Sequence, residues 1–170
     1  MNRISGAAAI LVSCFLAAIM RLRSQKERIR FLRALETSLL ELRGELVERR
    51  RGLGEIFLLL ANKNDEAVGR FYETLCDGLE SLGERSFSEI WRASAEISFS
   101  TLGENCLDAL LPLGVCLGGS ELELQCAALE SAARRIADTA RTEKESLAAE
   151  RKLSIGISLS AGAFLVIILM

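Results

Sequence analysis

Three consecutive arginines, Arg49-Arg50-Arg51, are the sharpest local feature among the residues that could do chemistry. Such a cluster could lie against an acidic protein partner or against anionic lipid headgroups. A local interpretation is also available, because basic side chains at the C-terminal end of a helix interact favourably with the helix dipole. The sequence leaves both interpretations open.

The residue types that common enzymes use are largely missing. The sequence contains no His, which removes Ser-His-Asp and Cys-His catalysis, and it has no G-x-x-x-x-G-K-[ST] motif for nucleotide binding. Its five cysteines form no C-x-x-C pair, whereas zinc usually requires clustered thiolates or imidazoles. We therefore predict free thiols, no metal, no cofactor and no enzymatic activity. The cysteines are Cys14, Cys76, Cys106, Cys116 and Cys126.

Gly114 and Gly118 form a G-x-x-x-G pair outside the apolar chain ends. In such a context glycines more often mark the end of a helix, and we predict a turn at Gly118-Gly119. Ser120 and Glu123 follow with the spacing of a capping box. Ser120 is therefore predicted to be the N-cap of the next helix, which follows from residue 121.

Helices must position these residues, because Leu, Ala, Glu and Arg dominate the sequence and it contains one Pro. Two long helices are predicted, one from the N-terminal apolar run to about Gly52 and one from Ser120 to the end. Outside the apolar runs they have nearly equal length, so we expect them to lie side by side and antiparallel. Their predicted buried positions are Ile29, Leu32, Leu35, Leu39, Leu42 and Leu46 in the first, and Leu122, Cys126, Leu129, Ala133, Ile136, Ala140 and Leu147 in the second.

Four shorter helices are predicted between the two long ones. Leu53 to Asn62 is apolar and too short to span a bilayer, which predicts a buried core helix. Asn64-Asp65 can cap a helix that ends at Gly83. Its apolar face comprises Val68, Phe71, Tyr72, Leu75, Leu79 and Leu82.

The last two short helices have their own signals. Ser86 and Glu89 form a capping box before a helix with Phe87, Ile90 and Trp91 on one side. The other runs from about Gly103 to Leu117, with a kink expected near Pro112. The predicted fold class is therefore all-α, an antiparallel helical bundle of about six helices.

Two uncharged runs at the chain ends predict membrane-spanning helices at residues 4–20 and 153–170, each close to the length that crosses about 30 Å of hydrocarbon. Basic residues flank each run on the side of the middle segment. By the positive-inside rule, residues 1–3 would lie outside and residues 21–152 would form a cytoplasmic bundle. The flanking residues are Arg21, Arg23, Lys26, Arg28, Arg30 and Arg33 after the first run, and Arg151 and Lys152 before the second.

An export signal is the alternative for the first run. Leu11-Val12-Ser13-Cys14 has the form of a lipobox, which would make the chain an exported lipoprotein acylated at Cys14. The apolar run continues to Met20, however, and the basic cluster behind it resists translocation. We therefore favour a retained span.

The middle segment is charged but nearly balanced. All 23 acidic residues and every basic residue except Arg3 lie between residues 21 and 152. This slightly acidic segment offers a nucleic-acid partner little electrostatic attraction. We expect no nucleic-acid binding.

The order of these features resembles the stage III sporulation protein AB family, in which a span, a basic helix, a helical bundle and a terminal span follow one another. The sequence departs from that family where Arg51-Gly52-Leu53 replaces a frequent Thr-Pro-Leu. Leu32, Leu35, Leu39 and Glu45 fit the family's first long helix, and Leu53 fits its break. Its turn pattern of Leu-Gly, an acidic residue and Gln fits Gly114, Leu117, Gly118, Glu121 and Gln125.

The resemblance implies a non-enzymatic role in endospore formation, in the channel complex that links the mother cell to the forespore. The family is similar to the inner-membrane platform proteins of type II secretion and type IV pilus systems. The implied partners are the membrane, the other membrane components of the complex, and its secretion-type ATPase, stage III sporulation protein AA, which would dock on the cytoplasmic bundle. The implied location is the mother-cell membrane around the forespore.

Two questions remain open from the sequence. The chain could form a homo-oligomer, and no residue pattern decides this. It could also be a membrane-anchored helical scaffold unrelated to sporulation.

Overall fold

The computed structural model describes the backbone of residues 2–49, 51–64, 66–99 and 104–169, and the side chains of residues 20, 22–49, 51–64, 67–99 and 106–149. Within these residues the regular elements are six α-helices, so the all-α prediction is confirmed. The helices are α1 (Asn2–Glu48), α2 (Leu53–Lys63), α3 (Glu66–Leu79), α4 (Phe87–Phe99), α5 (Glu104–Gly119) and α6 (Leu122–Leu169).

The predicted membrane spans fall almost entirely on side chains that lie outside the described part of the chain. Among the residues that the structure does describe, no helix carries an apolar run long enough to cross a bilayer. The backbone of residues 4–20 belongs to α1 and that of residues 153–169 belongs to α6. The two spans therefore stay a prediction.

Contacts along the chain divide it into two units. The first comprises Met1–Ile29 and Arg141–Met170, and the second comprises Arg30–Ala140. In the first unit α1 and α6 are joined by an ion pair between Arg28 and Glu143, with Nε and Oε1 2.8 Å apart. The second unit contains α2 to α5 in full, together with the adjoining parts of α1 and α6.

The core of the second unit is built from the predicted helical faces, whose burial removes apolar surface from water. All the predicted positions of α1 in this unit are buried, and the prediction for α1 is confirmed. On α6 the predicted stripe is buried from Leu129 to Ala140, whereas Leu122 is exposed in the first turn. Cys126 and Leu147 of the predicted stripe are half-buried. The buried positions are Leu32, Leu35, Leu39, Leu42 and Leu46 of α1, and Leu129, Ala133, Ile136 and Ala140 of α6.

The four short helices pack in chain order, α2 on α3, α3 on α4 and α4 on α5. A glycine lies at each of these contacts. A Cβ atom at Gly69 would come 2.9 Å from the Ala61 carbonyl oxygen of α2, and one at Gly78 would overlap the Ile90 side chain of α4. Gly114 of α5 meets Trp91 of α4 in the same way, so close approach is required at all three pairs.

A cluster of aromatic rings fills the centre of these helices. Phe71 and Trp91 meet edge to face with ring centroids 5.2 Å apart, and Phe71 and Phe99 are 4.7 Å apart. Such tilted pairs are favourable beyond the apolar area that they bury. The cluster ties α3 to α4, and Phe57 extends it to α2 through contacts with Tyr72 and Trp91.

The structure corrects two predictions about these helices. Leu53 to Asn62 is not buried all round, because Leu58 is 59% exposed while the neighbouring Phe57 is buried. Helix α3 ends at Leu79, and Gly83 lies in the following turn with a φ of +117° that favours glycine. Asn64 lies at the C-terminal end of α2, where its side-chain amide donates a 2.7 Å hydrogen bond to the Leu60 carbonyl. Asp65 lies outside the described residues, so the predicted cap at Asn64-Asp65 stays a prediction.

Candidate functional site

Gly114 and Gly118 lie on the face of α5 that contacts α4. A Cβ atom at Gly114 would lie 2.9 Å from Trp91 Cβ, and one at Gly118 would lie 3.1 Å from Phe87 Cβ. Residues four apart share one face of a helix, so the two glycines receive two aromatic side chains that are also four apart. The prediction that the pair marks a helix end was wrong for Gly114, which lies inside α5.

The contact between α4 and α5 is fixed by a buried hydrogen bond. The Trp91 indole N–H donates to the Leu110 carbonyl of α5 over 2.8 Å. Because Trp91 pairs with Leu110 and Gly114 while Phe87 pairs with Gly118, the two helices run antiparallel. Two residues of the predicted family turn pattern, Gly114 and Gly118, therefore lie where α4 and α5 approach each other closely.

Gln125 joins the end of α5 to the start of α6. Its side-chain amide donates to the Leu117 carbonyl at 3.2 Å and to the Ser120 carbonyl at 3.1 Å. The Gln125 backbone N–H donates to the Glu121 carbonyl at 3.0 Å. Helix α6 begins at Leu122, one residue later than a cap at Ser120 predicts, and the corner is held by Gln125 rather than by the predicted capping box.

The described part of the arginine cluster is engaged in ion pairs. Arg49 Nη1 lies 3.4 Å from Glu45 Oε1. Arg51 contacts Glu45 and Glu55, each at 3.4 Å, and so links the end of α1 to the start of α2. Arg50 lies outside the described residues. A contact of this cluster with a partner or with lipid headgroups stays a prediction.

The predicted capping box at the start of α4 is confirmed. The Ser86 backbone N–H donates to Glu89 Oε2 at 2.8 Å, and the Glu89 backbone N–H donates to the Ser86 hydroxyl oxygen at 3.4 Å. The bond from the Ser86 backbone, followed by that from its hydroxyl group, holds the pKa of the Glu89 carboxyl below its usual range. This exposed carboxylate therefore stays charged at neutral pH.

Buried polar chemistry in the described residues centres on Tyr72. The phenol hydroxyl donates to the Ser38 hydroxyl oxygen at 3.1 Å, and the Ser38 hydroxyl donates to the Leu35 carbonyl at 2.8 Å. Burial is the main cause that raises the pKa of Tyr72 well above its usual range. This chain of bonds ties α3 to α1.

The four cysteines that the structure describes are free thiols, as predicted. Cys106 is buried, and Cys76, Cys116 and Cys126 are half-buried. Burial, together with the neighbouring Asp77 and Glu73 carboxylates, raises the pKa of the Cys76 thiol. Cys76 is therefore held in its protonated, weakly nucleophilic form. The Cys14 side chain lies outside the described residues.

Sequence reasoning missed an apolar groove in the second unit, at one end of the short helices. Its volume is about 420 Å³, and it lies where α2 begins, α3 and α5 end, and α4 begins. We call it the end groove. Leu82, predicted on the apolar face of α3, lies beyond the end of that helix and is 57% exposed. An apolar residue next to the turn glycine Gly83 was the sequence signal that could have indicated the groove. The lining residues are Leu53, Gly54, Leu79, Leu82, Arg85, Ser86, Phe87, Leu117 and Gly118.

Comparison with known proteins gives one family. The family model described as Stage III sporulation protein AB matches residues 3–170. Searches of the curated proteins and of the solved structures gave no match. The family match includes the arginine cluster, the glycines of α5 and the Gln125 corner. The chain therefore belongs to the stage III sporulation protein AB family.

Proposed function

We propose that this chain is a non-enzymatic platform component of the channel complex between mother cell and forespore. It is anchored in the mother-cell membrane by the two terminal runs and docks the secretion-type ATPase, stage III sporulation protein AA, on its cytoplasmic helices. The observation that carries the proposal is the family match, which extends through both terminal runs and the bundle between them.

Family membership ties the chain to sporulation, so a scaffold unrelated to sporulation is set aside. The finer parts of the proposal draw on the charge distribution. Residues 21–33 contain six basic residues and one acidic residue, and Arg151-Lys152 precedes the second apolar run. Both clusters favour a cytoplasmic location for the segment between them.

The topology is tested with single cysteine substitutions and a membrane-impermeant maleimide on intact sporulating cells. Ser24→Cys, Ser131→Cys and Ser146→Cys replace exposed side chains and should react only after the cells are lysed. Asn2→Cys is the matched control, since residues 1–3 should face outward and react in intact cells. Reaction of residue 131 in intact cells would rule out the cytoplasmic bundle.

ATPase docking is tested by flotation of proteoliposomes that contain the full-length chain, with the purified ATPase added. The ATPase should float with the vesicles only when the chain is present. Arg49→Glu and Arg50→Glu test the arginine cluster, and Arg92→Glu makes the same charge change at an exposed site on α4. Equal recovery of ATPase with empty vesicles would refute the docking role.

The exported lipoprotein acylated at Cys14 is the second candidate, because Leu11-Val12-Ser13-Cys14 has the form of a lipobox. Mass spectrometry of the mature protein decides between them. A chain that keeps Met1 supports the two-span anchor. A chain that begins with a lipid-modified Cys14 supports export.

A further inference from the structure

The end groove is apolar on both sides and open to solvent. Leu53 and Gly54 form its wall on α2, Leu79 and Leu82 its wall on α3 and the following turn, and Leu117 its wall on α5. A volume of about 420 Å³ lies within the range of ligand pockets and can take several apolar side chains of a partner.

Exposed apolar side chains extend this surface beyond the groove. Leu82 lines the groove and is 57% exposed, and Val115, three residues before Gly118 on α5, is 68% exposed. Leu58 follows Gly54 by one turn of α2 and is also exposed. Residues three or four apart are neighbours on a helix surface, so these side chains continue the walls of the groove. Contiguous apolar patches of this kind mark interaction sites.

Arg85 is the charged side chain that lines the end groove, and the residues next to the lining residues of α3, α4 and α5 in the sequence are mostly acidic. The stretches 80–89 and 118–124 carry five carboxylates and one basic residue, Arg85, and all six side chains are exposed. On the side of α2 the arginine cluster precedes Leu53, and its described members, Arg49 and Arg51, are paired with the carboxylates of Glu45 and Glu55. The carboxylates are those of Glu80, Glu84, Glu89, Glu121 and Glu123.

We propose that the end groove binds a basic amphipathic helix of a partner protein. The helix would place its apolar side chains against Leu82, Leu79 and Leu117, and its Lys and Arg side chains beside the carboxylates of residues 80–89 and 118–124. Docking of an amphipathic helix in an apolar groove is a recurring mode of recognition. The identity of the partner as the ATPase rests on the proposed function, whereas the chemistry of the helix follows from the groove.

The negative charge near the end groove favours a basic amphipathic helix over a lipid surface. Anionic headgroups attract polybasic segments, and the carboxylates beside the end groove would repel them. A partner that carries carboxylates would meet the same repulsion. The complementary charge is therefore positive, and the complementary surface is apolar.

The test uses the full-length chain in phosphatidylcholine nanodiscs and labelled peptides of about 18 residues, five helical turns. One peptide has Leu at helical spacing with Lys elsewhere, a second has Glu in place of Lys, and a third has Ser in place of Leu. Fluorescence anisotropy should show that the Leu/Lys peptide binds at least about tenfold more tightly than either of the others, or about 1.4 kcal/mol. Empty nanodiscs give the lipid background.

Two pairs of variants test whether the Leu/Lys peptide binds in the end groove. Leu82→Gln should weaken binding of the Leu/Lys peptide about fivefold or more, whereas Ile97→Gln, at a 71% exposed position of α4 outside the groove, should not. Glu84→Lys combined with Glu121→Lys should shift the preference toward the Leu/Glu peptide. Glu73→Lys combined with Glu96→Lys makes the same charge change at exposed positions elsewhere and should leave the preference unchanged.

Several outcomes would overturn the inference. A preference of the unmodified chain for the Leu/Glu peptide, or equal loss with Leu82→Gln and Ile97→Gln, would remove the proposed site. If Leu82→Gln instead converts a dimer of the chain into a monomer in sedimentation, the occupant is a second copy and the inference is also overturned.

The inference and the proposed function fail separately. Groove-dependent binding of the Leu/Lys peptide without recruitment of the ATPase would support the groove and refute the docking role. Recruitment of the ATPase with no groove-dependent peptide binding would overturn the inference and leave the docking role in place.

Discussion

Replacing Gly114 with Ala tests whether the glycines of α5 set its distance from α4. The added methyl carbon would lie 2.9 Å from Trp91 Cβ and 3.0 Å from Cγ and Cδ1. Carbon atoms in favourable contact are about 3.5–4.0 Å apart, so one of the two groups must move. Trp91 has little freedom to do so, because it is buried and its indole N–H is bonded to the Leu110 carbonyl.

The expected change in the free energy of unfolding is the difference between the cost of overpacking and the gain in helix propensity. Overpacking of a filled core costs about 1–3 kcal/mol, whereas Ala in a helix interior gains about 1 kcal/mol over Gly. Because the neighbour is held in place, we expect the free energy of unfolding to fall, by up to about 2 kcal/mol. Gly44→Ala is the matched control, because the same change within α1 meets nothing within 4 Å and should raise it by about 0.5–1 kcal/mol.

The measurement is chemical denaturation of the full-length chain in detergent micelles. Trp91 is the single tryptophan, so its fluorescence reports on the altered contact, and circular dichroism follows the helices independently. A free-energy change of 1 kcal/mol shifts the melting temperature of a chain of this size by about 2–4 °C. If the Gly114→Ala protein is stabilised as much as the Gly44→Ala protein, the close contact between α5 and Trp91 does not exist.

Three further predictions concern hydrogen bonds. Ser86→Ala removes the cap of α4 and should lower the free energy of unfolding by about 1 kcal/mol, while Ser86→Thr should retain most of it. Gln125→Leu removes the bonds to the Leu117 and Ser120 carbonyls and should cost about 1–2 kcal/mol in the same assay. Burial raises the pKa of Tyr72, so the folded state favours the neutral phenol. Its contribution to stability is complete below the ordinary tyrosine pKa of about 10 and is lost above it, by up to about 1.4 kcal/mol per pH unit. Tyr72→Phe should lack that loss.

Each of these three predictions has either a control variant or a result that would contradict it. Ser88→Ala changes a hydroxyl group near the same cap and should have a smaller effect than Ser86→Ala. Gln125→Glu keeps the length of the side chain but removes its donor, and stability equal to the unmodified chain would show that the amide bonds are not needed. Tyr72 is the single tyrosine, so phenolate absorbance follows it directly, and ionisation near pH 10 in the folded chain would contradict its burial.

The patterns that could be predicted from the sequence are those that one element determines by itself. The apolar face of α1 follows from its period, and the Ser86 cap follows from two residues three apart that bond to each other. Such features depend on local geometry, which sequence spacing states directly. The number and class of the helices followed from the same signals.

The predictions from the sequence were wrong where the outcome depends on packing against a second helix. The G-x-x-x-G spacing of Gly114 and Gly118 is the same for a helix end and for a close helix contact, and Trp91 on α4 selects the contact. Leu58 is apolar but 59% exposed, because in the part of the chain that the structure describes α2 buries its other face, with Ile56, Phe57 and Leu60. The ion pairs of Arg51 with Glu45 and Glu55 required knowledge of how α1 turns into α2.

The glycines at the contacts of α2 with α3, α3 with α4 and α4 with α5 have a mechanical consequence. The atoms nearest to these glycines are a main-chain carbonyl oxygen, the γ2-methyl group of the β-branched Ile90 and Cβ of Trp91, which move less readily than the ends of long flexible side chains. Close-packed interiors have low compressibility and transmit strain. These four helices should therefore move as one rigid body. A displacement imposed at one end of the group should reach the other end nearly unchanged.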